Sequence, residues 1–317
     1  MVTSAQAAQP TATAVRTVTD GVTTFAVVDN PGGPTLSYIP GGGITLLTES
    51  TAAGTLTFKD FDADGQLDAF EDWRKPVNER AKALAAVLSI EQIAGLMLFS
   101  SHERNLAAGL TTAQRTYLSQ DRLRNVLNAS ANDVTANVTW TNAAPAYAES
   151  LATAAEPYIP VNISSDPRST AGSDTAYNAA GADISRWPSN IGLAATFSGD
   201  AMLEFAKITS QEYRAMGITT ALGPQIDLAT EPRWLRVDGT FGENVDLATT
   251  LATNYVNGAQ NTYDANGTSV GWGADSITTM IKHWAGDGAG EGGRGGRMAG
   301  GARALRSGCS SLHTSRR

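Results

Sequence analysis

A chain of 317 residues with 42% hydrophobic content can bury a large core, and its formal charge of -8 and pI near 4.9 argue against nucleic acid as a partner. One cysteine excludes an internal disulfide framework and a cysteine-rich metal site. No apolar run approaches the roughly 18 residues that a membrane span requires.

Residues 1–13 are small and polar and read as a flexible N-terminus, without the basic end and apolar centre of a secretory signal. Residues 14–58 read as a β-rich arm. Its short runs at 22–28, 36–39, 44–47 and 55–58 are divided by Pro31-Gly32-Gly33-Pro34 and Pro40-Gly41-Gly42-Gly43. Residues 59–76 form a calcium-like loop and linker. There Asp60, Asp62, Asp64, Gln66, Asp68 and Glu71 occupy positions 1, 3, 5, 7, 9 and 12, with Gly65 at the sharp turn and Leu67 as anchor. The spacing fits a structural Ca²⁺ that clasps the arm to the body; the alternative is an acidic surface turn.

From residue 77 to 293 helix-like and strand-like stretches alternate. Helices are expected at 79–88, 112–125, 147–155, 199–216 and 247–259, and strands at 93–99, 159–163, 222–228 and 276–284. Such alternation predicts a parallel α/β fold, either a (β/α)8 barrel or an open doubly wound sheet. The suggestive residues stand at the downstream strand ends: Asp166, Asp227 and the pair Lys282-His283. Asp166 can accept from sugar hydroxyls or serve a loop or helix cap. Arg236 can reach a hydroxyl and Trp234 can lie beneath a ring, or else Arg233 and Arg236 only pair with Glu231, Asp238 or Glu243. Three histidines make a multi-histidine metal site improbable, and the glycines after His283 lack a phosphate-loop ending.

Taken in order, the segments 59–76, 88–99, 159–168, 187–217, 223–243 and 282–294 resemble the N-terminal part of the β-glucosidase-like glycoside hydrolases of family 3. The second half of the likeness includes Pro188-Ser189-Asn190-Ile191-Gly192 and Pro232-Arg233-Trp234-Leu235-Arg236. The resemblance implies an incomplete (β/α)8 TIM-type barrel preceded by the small β-rich arm. It implies exo-acting, retaining hydrolysis of terminal β-D-glucosyl residues, with a β-linked oligosaccharide or an aryl or alkyl glucoside as partner. A β-xylosidase-type hydrolase and a non-catalytic carbohydrate-binding remnant are the alternatives. Asp166, Arg236, Lys282 and His283 match the family's sugar-gripping residues, although Leu235 stands where glycine is usual. Arg294 matches the arginine that closes the glycine-rich loop, but Gly295 stands where a carboxylate is expected.

Retaining hydrolysis needs two carboxyl groups about 5 Å apart. The family's nucleophile and acid/base come from later regions, and no Asp or Glu follows Glu291. The chain is therefore expected to carry no catalytic residue, to need no catalytic cofactor and to be impaired or inactive. Residues 294–317 hold 6 of the 23 basic residues, no acidic one and Cys309, and read as an aberrant tail translated out of frame, a natural basic tail being the alternative. The parent protein is expected outside the cytoplasm, in the periplasm or extracellular space, with a cytoplasmic place as the alternative.

Overall fold

The computed structural model describes residues 15–104, 106, 109–130, 133–166, 169 and 184–283. The expected flexible start, Arg168, the loop 284–293 with Asp287 and Glu291, and the basic tail with Arg294 lie outside the described residues. The chain divides into two compact units. One gathers the described residues before 101 with those in 107–126 and 139–161. The other gathers those in 101–106 and 127–138 and those from 162 onward.

The first unit opens on antiparallel strands separated by the glycine- and proline-rich turns. Strands β1 (Val15–Thr19), β2 (Thr24–Asp29) and β3 (Thr35–Tyr38) form one sheet, with Val15 opposite Val28 and Ala26 opposite Tyr38. Strands β4 (Thr45–Thr51) and β5 (Gly54–Asp60) form a hairpin from Thr45↔Asp60 to Thr51↔Gly54. Asn30 ties the two sheets together. Its Nδ2 donates to the carbonyls of Pro34 and Thr57, and its Oδ1 accepts from the Thr57 N–H at 2.6 Å. Trp73 stacks on Phe58 at 5.4 Å, so closely beneath Gly33 that a Cβ there would come within 2.3 Å of the indole.

Helices α1 (Val77–Val87), α2 (Ile90–Leu96) and α3 (Thr112–Ser119) follow. Two expectations fail here. The apolar run 93–99 belongs mostly to α2, because Ser89 and Gln92 close a reciprocal capping box that starts a helix. Strand β6 (Phe99–Glu103) begins only at its end. The helix expected over 112–125 stops at Ser119, Arg122 adopts φ +52°, and Asn125–Asn128 form β7 with Val126 and Leu127 buried. Helix α4 (Val134–Glu149) lies upstream of the helix expected at 147–155. Thr and Asn give residues 133–142 weak helix propensity, yet Trp140, Ala144 and Ala148 at four-residue spacing are all buried. Packing overrides propensity.

The second unit holds β8 (Asn162–Ser165), β9 (Thr220–Ala221), β12 (Thr278–Thr279) and the downstream ends of β6 and β7, strands of one five-stranded sheet in the order β12-β9-β8-β7-β6. Strands β8, β9 and β12 run parallel, with Ser164 and Thr278 both opposite Thr220. Helix α5 (Asn190–Ala194) precedes α6 (Gly199–Ala215), and α7 (Val245–Gln260) leads into a small hairpin of β10 (Thr262–Tyr263) and β11 (Ser269–Gly271), which the sequence reading missed. Helix α6 buries Met202, Phe205, Ala206, Thr209 and Tyr213 at helical spacing, and Gly217 at φ +76° ends it. Gly258 lets α7 approach α6 closely: a Cβ there would lie 2.6 Å from the Leu203 carbonyl.

The strand expected over 222–228 lies instead just upstream, at Thr220–Ala221. After Ala221 the chain passes Pro224, which has no N–H to donate, and pairing resumes as one parallel bridge between Gln225 and Lys282. These elements compose an α/β fold with a parallel sheet core flanked by helices and small antiparallel sheets, consistent with an incomplete (β/α)8-type arrangement. Among the described residues no helix is long and apolar enough to cross a membrane.

One buried ion pair holds the first unit's hairpin to α4. Glu149 accepts from Lys59 Nζ at 3.1 Å and from the Ile39 N–H at 2.8 Å, the Lys59 and Glu149 side chains being only 14% and 5% exposed. Burial lowers the Lys59 pKa, and Glu149 opposes that shift. Removing one partner strands the other charge. We expect Glu149→Leu to cost about 3–5 kcal/mol in urea unfolding, and Lys59→Met combined with Glu149→Leu to recover most of the loss. A single-variant cost well under about 1 kcal/mol would contradict this account.

Candidate functional site

Parallel strands deliver their downstream ends to one edge of the sheet, and the pairing extends beyond the regular strands. Leu222 N–H donates to the Ser165 carbonyl at 2.9 Å, Met280 N–H to Ala221 at 3.0 Å, Lys282 N–H to Pro224 at 3.0 Å, and Ile226 N–H to Lys282 at 2.8 Å. This ladder fixes Asp166, Asp227, Lys282 and His283 relative to one another. Tyr213, buried on α6, donates its hydroxyl to the Asp166 carbonyl at 2.6 Å and holds that residue from behind.

The side chains then interlock. Lys282 Nζ meets Asp166 Oδ1 at 2.6 Å, with the two side chains 15% and 19% exposed. His283 Nδ1 lies 2.8 Å from Asp227 Oδ2, and the His283 backbone N–H donates to Asp227 Oδ1 at 3.3 Å. Arg236 Nη1 lies 3.2 Å from His283 Nε2. A guanidinium can only donate, so Nε2 is the acceptor and the ring proton sits on Nδ1, facing Asp227. The Lys282–His283 peptide bond is cis.

All four expected residues, Asp166, Arg236, Lys282 and His283, therefore meet at one place. Asp166, Lys282 and Arg236 keep unused capacity. Asp166 retains its second carboxylate oxygen, Lys282 two ammonium protons and Arg236 four N–H bonds with no partner among the described residues. An acceptor flanked by charged donors suits a pair of neighbouring hydroxyls.

The neighbouring residues sort themselves differently. Arg233 forks onto Glu231 at 2.6 and 2.8 Å, the structural alternative that the sequence left open for the two arginines. Trp234 is only 4% exposed and offers no open face, whereas Leu235 is 94% exposed. Asp227, flagged as a strand-end residue but given no part in the site, has a fully buried side chain bonded to His283. A carboxylate between Ile226 and Leu228 in a strand-like stretch was the available signal, because a buried charge needs a partner.

The acidic loop lies in the first unit. Ligand oxygens of Asp60, Asp62 and Glu71 all fall within 4.8 Å of one another, and so do those of Asp62, Asp64 and Asp68. These clusters can hold a metal ion. Gly65 at φ +81° makes the turn. Strand β5 precedes the loop and turns follow it, so it lacks the flanking helices of an EF-hand. Gln66 donates through its backbone and amide nitrogens to Asp64 at 2.7 and 3.1 Å, and Leu67 is half-buried.

Backbone N–H groups partly serve the carboxylates: Glu71 accepts from Phe61 at 2.6 Å and from Asp68 at 2.9 Å, and Asp60 from Gly65 at 3.1 Å. Even so, burial, with Asp60 and Asp62 adding to it, pushes the Glu71 carboxyl up to about 7 against its two N–H donors. Burial also raises Asp62. A raised acid holds its proton longer in the folded state. The metal-free fold therefore loses this contribution as pH rises from the unfolded value through about 7. A bound cation would compensate the charge.

The chain matches the model of the glycosyl hydrolase family 3 N-terminal domain over residues 64–306, which extends past Arg294. It is 40% identical over 240 residues to the periplasmic beta-glucosidase/beta-xylosidase of Dickeya chrysanthemi, covering 74% of this chain and 35% of that protein. It is 39% identical over 130 residues to beta-glucosidase C of Emericella nidulans, covering 41% and 20%. The chain thus spans about a third or less of the length of these relatives. Among solved structures, its fold is similar to the exo-1,3/1,4-beta-glucanase of a Pseudoalteromonas species, with TM-score 0.52 and 22% identity over 67% of this chain and 25% of that one. It is also similar to a beta-N-acetylglucosaminidase from Paenibacillus sp. str. FPU-7, with TM-score 0.51 and 18% identity over 63% and 34%. From its N-terminal domain match and its sequence relatives, the chain belongs to glycosyl hydrolase family 3, a family of glycosidases acting on O-glycosyl bonds.

Proposed function

We propose that the strand-end site grips the terminal sugar of a β-linked glucoside, and that the chain is the sugar-binding part of an exo-acting retaining β-glucosidase-like hydrolase. The observation that carries this reading is the meeting of Asp166, Lys282, Arg236 and His283, with an acceptor oxygen and several donors left open. Asp166 takes hydroxyl protons, while Lys282 and Arg236 donate to hydroxyl oxygens. The printed names of the Dickeya and Emericella relatives support glucosides, and the former supports xylosides equally.

Chemistry is a separate matter. Retaining hydrolysis needs a free nucleophilic carboxylate and a second carboxyl about 5 Å away. Here Asp166 is paired with Lys282, and Asp227 is buried against His283. Binding without turnover is the reading we adopt for this chain. Calorimetry with methyl β-D-glucoside and methyl β-D-xyloside tests it. Binding of at least one sugar is expected, weakened about tenfold or more by Asp166→Asn or Lys282→Ala, as for charge-assisted hydrogen bonds. No aryl β-glucoside should be turned over. No heat with either sugar would refute the binding reading, and turnover that vanishes in these variants would refute its restriction to binding.

The acidic loop supports a second, structural role: a Ca²⁺ held by Asp60, Asp62, Asp64, Asp68, Glu71 and the main chain at Gln66. The paired clusters of carboxylate oxygens favour it. At a hundredfold excess over its dissociation constant such an ion stabilises by about 2.7 kcal/mol. That corresponds to a melting temperature about 5 °C higher in calcium than in chelator at pH 8. The gain should shrink at pH 5, where Glu71 holds its proton. Equal melting temperatures at pH 8 would remove the ion. The word periplasmic in the names of two relatives supports a place outside the cytoplasm for the parent protein.

A further inference from the structure

We propose that a small monovalent anion, a halide such as chloride, binds in a cavity of the first unit between the guanidinium of Arg124 and the hydroxyl of Tyr158. This site involves none of the strand-end residues and stands or falls apart from the sugar-binding reading.

Arg124 is a cation buried without a counter-ion. It is only 6% exposed, and its hydrogen bonds all go to main-chain carbonyls. Nε donates to Ile159 at 3.0 Å, and Nη1 donates to Leu118 at 2.8 Å and to Leu123 at 2.9 Å. These bonds tie the end of α3 to the segment at Ile159, but a carbonyl carries no net charge. Among the described residues no carboxylate pairs with Arg124, and its Nη2 has no acceptor. Burial accordingly lowers its pKa.

Beside it lies a cavity of about 10 Å³, room for one water-sized body, which Arg124 and Tyr158 both line. Tyr158 is 5% exposed. Its ring meets Phe61 edge-on and lies under Lys59, while its hydroxyl has no partner among the described residues. Two nearly buried side chains with unmade donor bonds thus border one small space, and such bonds are costly to leave unmade in an interior. The other charges nearby cancel. Arg122 grips Glu156 at the cavity wall, and Lys59 pairs with Glu149 over the Tyr158 ring. What remains uncompensated is the single charge of Arg124. A water satisfies the donors and leaves that charge, and a polyatomic anion such as sulfate exceeds the space. A monatomic anion accepts from both donors and neutralises the guanidinium.

Arg124 holds three carbonyls in place, so the test leaves it unchanged. Crystals of the full chain grown in sodium bromide locate the ion by its anomalous scattering. A peak is expected within hydrogen-bond distance of Arg124 and of the Tyr158 hydroxyl. Water in that place, or bromide only on the surface, would overturn the proposal.

Thermal melting gives a second reading, with sodium chloride replacing sodium gluconate at constant ionic strength. The wild-type melting temperature should rise and saturate, by about 5 °C at a hundredfold excess over the dissociation constant. Tyr158→Phe keeps the buried ring and loses the hydroxyl. It should need about tenfold more chloride for the same gain. The absence of a saturating rise, or an unchanged chloride midpoint in Tyr158→Phe, would refute the site.

Discussion

Parallel backbone pairing across Ser165, Ala221 and Thr279 is the constraint on which the site depends. Parallel strands leave their downstream ends on one edge, and buried amides must find partners there as well. The pairing therefore continues irregularly past Pro224 to Lys282. That continuation sets the spacing of Asp166, Asp227 and Lys282-His283 to within a hydrogen bond. No one of these residues would be a site alone.

Charge compensation then decides what each side chain can do. Lys282 neutralises Asp166 and leaves both with spare bonding capacity at a half-buried place. Asp227 is sealed away and accepts from His283 at both oxygens. Arg233 is consumed by Glu231, while Arg236 is spared for the site. The same logic governs the first unit. Glu149 offsets the buried Lys59, and the carboxylates of the acidic loop crowd one another closely enough to raise Asp62 and Glu71 further.

Much of this was legible in the sequence, and the exceptions have physical causes. The strand-end positions of Asp166, Lys282 and His283 followed from the βα alternation, and Arg236 from its motif; all four meet. The loop from Asp60 to Glu71 was legible because metal-ligand spacing is a local property. The errors arose where periodicity is ambiguous. An apolar run of seven residues at 93–99 serves a helix end as well as a strand, and the Ser89/Gln92 box decided between them. Helix α4 was misplaced because burial of Trp140, Ala144 and Ala148 outweighs its Thr- and Asn-rich composition. The partner of Asp227 was not legible, since pairing with a residue 56 positions away is a tertiary fact.

The central claim is that these strand ends hold a β-linked sugar. A crystal of the full chain soaked in methyl β-D-glucoside tests it most directly. The account predicts ring hydroxyls within hydrogen-bond distance of Asp166, Lys282 and Arg236, with His283 Nε2 still facing Arg236. An empty site at saturating sugar, or sugar bound only elsewhere on the chain, would contradict it.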